Sequence, residues 1–63
     1  MNRVEISRAG ARIINAYPPP MRPAIAGILT YAQTEADIPE PLRSLVVRAH
    51  DDPDFIPAPQ ETA

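Results

Sequence analysis

Nine prolines in a chain of 63 residues restrict this protein to short helices with abrupt ends. They stand at Pro18, Pro19, Pro20 and Pro23, then at Pro39 and Pro41, and finally at Pro53, Pro57 and Pro59. Proline has no backbone N–H to donate, and its ring clashes with the preceding turn, so it starts or stops a helix and avoids the interior. Between the clusters, apolar residues recur at helical spacing. The sequence therefore predicts an all-α fold: a small bundle of two main helices plus a short third helix, followed by an extended, Pro-rich, acidic C-terminal arm.

The first helix is expected over about 4–16. Asn2 and Glu5 have the spacing of a capping box, and Ile6, Gly10, Ile13, Ile14 and Tyr17 form one apolar stripe. Gly10 interrupts a helix at a cost of about 1 kcal/mol relative to Ala, so close approach of a neighbouring helix is expected there. Pro18–Pro20 ends the helix in a polyproline corner. A second helix over about 22–35, with Pro23 tolerated in its first turn, carries the strongest stripe: Met21, Ile25, Ile28, Leu29, Ala32 and Ala36. It is the expected central helix, with Ala24, Ala26 and Gly27 again admitting a neighbour. The third, over about 41–50, repeats Leu42, Leu45, Val46 and Ala49. Residues 1–52 read as the helical domain and 53–63 as the arm.

A chain of this length buries only about 60% of its unfolded surface and has a marginal core. Small scaffolds usually add disulfides, a metal or a second chain. Cysteine is absent and His50 is the one histidine, which removes the first two and leaves burial against another protein, either a larger partner or a second copy. No cofactor and no small-molecule substrate are expected, and an enzyme is not: Ser7 and Ser44 have no nucleophile motif around them. The run Asp51, Asp52 and Asp54 lacks the turn glycine and distal Glu of a calcium loop.

No stretch approaches the roughly 18 apolar residues of a membrane span, and the N-terminus has no signal-peptide pattern. The expected compartment is the cytoplasm, or a complex assembled there. A net charge of −2 argues against a general nucleic-acid binder. The charge is nonetheless polarised: Arg3, Arg8 and Arg12 lie early, and Asp51, Asp52, Asp54 and Glu61 lie late with no base after Arg48. Those three arginines are candidate anion or nucleic-acid contacts, and an alternative function is a small dimeric nucleic-acid-binding regulator. Pro20-Met-Arg-Pro23 satisfies a bare PxxP pattern, for which helix punctuation is a sufficient reason.

The leading expectation is a non-enzymatic protein-binding module, a small accessory subunit or inhibitor. Its candidate partner-binding residues are Ile25, Ile28 and Leu29 on the second helix and Phe55 and Ile56 on the arm, the last two being large apolar groups among acids and prolines. A symmetric dimer burying Ile25, Ile28 and Leu29 between chains is the alternative arrangement.

Overall fold

A computed structural model describes residues 1–60. It is all-α, with three α-helices and no strand among the described residues. Helix α1 spans Arg3–Ile13, α2 spans Arg22–Tyr31 and α3 spans Leu42–Asp51. Single 3₁₀ turns at Ile14–Ala16, Pro19–Met21 and Glu35–Asp37 fill the connections. Glu61, Thr62 and Ala63, the end of the expected arm, lie outside the described residues.

The start of α1 follows its local chemistry. The Asn2 side chain accepts from the Glu5 N–H at 2.9 Å, and the Glu5 carboxylate accepts from the Asn2 N–H at 2.9 Å, so two N–H groups that no helical carbonyl can reach are both satisfied. The α-helix ends at Ile13, three residues short of the expected Ala16, and tightens into a 3₁₀ turn. Proline disfavours helical backbone in the residue before it, and Tyr17, which precedes Pro18, is extended at φ −94° and ψ 151°.

Helix α2 stops at Tyr31 rather than near Glu35, although neither glycine nor proline marks the place. The Asp37 carboxylate accepts the Gln33 N–H at 2.9 Å, a donor that a continuing helix would direct to the Leu29 carbonyl. Short polar side chains compete with the helix for backbone groups in this way. Ala32 turns extended while staying buried, and Ala36, the last residue of the expected stripe, is exposed.

The core is one cluster: Ile6, Ala9 and Ile13 of α1, Tyr17, Ile25 and Leu29 around α2, then Ala32, Ile38, Leu42, Val46 and Ala49. Ile38 is fully buried despite lying between a polar turn and Pro39. The helix at the centre is α1, which packs against α3 most extensively and against α2 as well; α2, the longest apolar stripe in the sequence, lies to one side. Close approach of α1 and α2 is real at Gly10, where a Cβ would stand 2.5 Å from Leu29 Cδ1. At Gly27 it is not: an added Cβ would meet nothing within 4 Å.

Two connections share one construction. Tyr17-Pro-Pro-Pro-Met-Arg22 and Ile38-Pro-Glu-Pro-Leu-Arg43 both read apolar-Pro-x-Pro-apolar-Arg. In the first, the Arg22 guanidinium turns back to donate from Nε to the Tyr17 carbonyl at 3.0 Å and from Nη2 to the Asn15 carbonyl at 3.3 Å. In the second, Arg43 donates from Nε to the Ile38 carbonyl at 2.8 Å and from Nη2 to the Ala36 carbonyl at 3.5 Å. The prolines break the backbone ladder, and the forked guanidinium supplies donors to carbonyls at each corner that lie outside a regular α-helix. Because Pro19–Met21 is a 3₁₀ turn and Arg22 already begins α2, the PxxP stretch does not have the polyproline II form that Pro-rich recognition uses.

Candidate functional site

The surface at the C-terminal end of α1 is built by one side chain. Arg12 extends across the end of α3 and donates to the carbonyls of Ala49, of Pro53 at 2.7 Å and of Phe55 at 3.0 Å, with a longer contact of 3.4 Å to that of Asp52. The final carbonyls of a helix have no partner within it and form the negative end of its dipole, so a fixed cation there is doubly favourable. A planar five-donor fork can serve several acceptors at once.

Beyond α3 the chain turns on Asp52, whose side chain accepts from the Asp54 N–H at 3.0 Å and whose carbonyl accepts from the Phe55 N–H at 3.1 Å. That turn separates the two large apolar residues. Phe55 faces inward, packed against the core, with the Arg48 guanidinium 5.1 Å above its ring centroid, a cation–π arrangement. Ile56 faces outward and is 87% exposed. Further on, the Gln60 N–H donates to the Ala16 carbonyl at 2.6 Å. Two shallow depressions flank Ile56 and Pro57, one toward Ala11, Arg12 and Asn15, the other toward Ala16 and Pro59. Asp54 lines the first of them, and Asp51, Asp52 and Asp54 are all exposed.

The five candidate partner-binding residues thus separate. Ile25 and Leu29 are buried in the chain's own core. Ile28 is half-buried at its edge, Phe55 is half-buried beneath Arg48, and Ile56 stands in solvent. The three candidate anion contacts separate too. Arg3 donates to the Thr30 carbonyl at 3.1 Å, joining the start of α1 to the end of α2, and Arg12 is committed as above. Arg8 has no hydrogen-bond or ion-pair partner among the described residues. It lines a depression between α1 and α3 with Glu5 and His50, whose Oε2 and Nε2 atoms are 3.4 Å apart. Glu5 answers the Asn2 cap and His50.

Arginine as a clamp on backbone carbonyls was not read from the sequence. The available signal was the repeated Pro-x-Pro-apolar-Arg spacing at Arg22 and Arg43; nothing local announces the long-range reach of Arg12. Among the described residues, no group of three or more His, Cys, Asp or Glu side chains is placed to hold a metal ion and no helix is long and apolar enough to cross a membrane. No family model, no curated protein and no solved structure matches the chain.

Proposed function

We propose that this chain is a non-enzymatic protein-binding module, a small accessory subunit or inhibitor that docks on a larger protein through its C-terminal arm. The observation that carries the reading is Ile56: a large apolar side chain held 87% exposed on a segment fixed from both sides by Arg12 and Ala16. An isolated exposed apolar residue is ordinary. One presented on an ordered, Pro-rich, hydrogen-bonded segment is pre-organised, and pre-organisation lowers the entropy lost on binding. The finer architecture belongs to the same proposal: two main helices, a shorter third, and an extended acidic arm from Pro53 to Ala63 as the recognition element. The partner's surface complements Asp51, Asp52 and Asp54, an apolar cleft with basic side chains at its rim. The module acts in the cytoplasm or in a complex assembled there.

The nucleic-acid alternative has less support, because Arg3 and Arg12 direct their guanidinium groups at backbone carbonyls. Affinity purification of the tagged chain from its host, with and without nuclease, tests both. The expected result is a stoichiometric protein that survives nuclease and is lost with Ile56→Asp. A partner retained at full yield by both Ile56→Asp and Phe55→Ala overturns the arm as the docking element, and material lost on nuclease treatment favours the alternative.

A further inference from the structure

Helix α2 carries two apolar faces and the fold uses one. After Arg22 no residue through Ala32 is charged. Ile25 and Leu29 turn into the core, whereas Ala24, Gly27, Ile28 and Tyr31 fall at i, i+3, i+4 and i+7, the spacing of a helix–helix seam. On that second face Ala24 is exposed, Gly27 and Ile28 are half-buried, and Tyr31 is 82% exposed. A surface helix normally turns charged side chains outward; this one has none to turn.

Gly27 is an independent observation. Glycine inside a helix is a destabilising choice that needs a reason, and the usual ones are missing: its φ is not positive, and an added Cβ would meet nothing within 4 Å. At Gly10 the neighbour that requires glycine is within the chain; at Gly27 it is not. A backbone approaching from outside would supply it.

We propose that the Ala24–Gly27–Ile28–Tyr31 face is where a second copy of this chain packs, α2 against α2 about a two-fold axis with Gly27 near the crossing. The occupant is argued from charge. A two-fold contact brings each patch against itself, so like charges on it would oppose one another. The exposed sides of α1 and α3 carry Arg3, Arg8, Arg48 and Asp51, and the segment after α3 carries Asp52 and Asp54. The outer face of α2 is neutral along its length and is self-complementary. Ten residues make a helix about 15 Å long, too short to bury the roughly 800 Å² per partner of a standard interface. The dimer is accordingly weak, with a Kd between about 10 µM and 1 mM.

The test is sedimentation velocity with amide NMR spectra of the full chain, from about 10 µM to about 1 mM, bracketing that range. The expected result is a concentration-dependent shift from monomer to dimer, with signal changes at Ala24, Gly27, Ile28 and Tyr31. Tyr31→Asp weakens association about tenfold or more. Gly27→Ala raises the thermal midpoint of the dilute monomer while weakening the dimer, opposite changes that a purely structural glycine would not give. Ile56→Asp leaves the dimer intact, so this inference and the docking role of the arm fail separately. A wild-type chain that is monomeric at the highest concentration, or Tyr31→Asp and Gly27→Ala dimerising as the wild type does, overturns the proposal. So does a larger host protein whose capture is lost with Tyr31→Asp in a chain that never dimerises.

Discussion

Tyr17 is a buried side chain with an unmet hydrogen bond. It is 6% exposed, its hydroxyl has no partner among the described residues, and burial raises its pKa. An unpartnered buried hydroxyl costs about 1–3 kcal/mol, so Tyr17→Phe is expected to stabilise the chain by about 1 kcal/mol, visible as a raised urea midpoint; a fall in stability would show that the hydroxyl has a partner after all. A partly buried tyrosine usually keeps its oxygen in water; here the proline corner folds it inward. Gly10 behaves oppositely to Gly27. Gly10→Ala gains up to about 1 kcal/mol of helix propensity, but its Cβ intrudes on a Leu29 side chain that is only 7% exposed, and overpacking a core costs about 1–3 kcal/mol. The expected net effect is a loss of about 1 kcal/mol, measured by the same titration.

At the scale of elements, the arginine clamps compensate for what proline removes. Losing Arg12 should release the segment after α3 without unfolding the bundle: Arg12→Ala is expected to speed amide exchange at Phe55 and Gln60 about tenfold, the effect of losing one strong charge-assisted bond, with exchange in α1 unchanged. Arg12→Lys should not restore protection, since an ammonium lacks the planar fork. Protection at wild-type level in Arg12→Ala would assign the holding of this segment to Phe55 and Gln60 themselves. Much of the element level was legible in the sequence: the capping box at Asn2 and Glu5, three helices set by apolar period, and proline at their boundaries. The end of α2 was not, because it depends on Asp37 taking the N–H of Gln33, a competition between side chain and backbone that no periodicity records. Neither was the centrality of α1. Stripe length measures how much a helix can bury, and not how many neighbours bury it, and α2 divides its apolar surface between a core face and an outer one.

For the whole molecule, the contact that ties the beginning of the chain to the turn after α2 joins Met1 to Glu35. The Met1 ammonium donates to Glu35 Oε2 at 2.8 Å. This bond holds the Glu35 carboxyl below its ordinary value of 4.5 and raises the amine above its ordinary value of 8.0, burial opposing both. A carboxylate with a depressed folded pKa contributes stability above its unfolded pKa and loses it as pH falls through the folded value; a raised amine contributes below its unfolded pKa and loses it as pH rises through the folded one. The pair is therefore most favourable between 4.5 and 8.0. The thermal midpoint of the wild type minus that of Glu35→Gln should form a plateau across that window and shrink on both sides; a difference flat with pH would remove the pair from the stability of the fold. No residue pattern foretold it, since it links positions 34 apart. For the candidate site, Phe55 and Ile56 were legible as a pair, but their opposite orientations follow from a turn on Asp52 and from Arg12 and Arg48, which reach them only once the helices pack.

That first contact also makes the protein unusual as a chemical reagent. The sequence has no lysine, so in a chain that starts at Met1 the α-amine is the single primary amine, and it sits in a hydrogen bond to Glu35. Amine-selective acylating reagents will therefore mark chiefly one atom, and the hydrogen bond to Glu35 slows them until the N-terminal latch opens. The rate of that labelling reads the local opening of the Met1–Glu35 contact, and because an acylated amine no longer carries the charge that Glu35 holds, the labelled chain keeps that latch open.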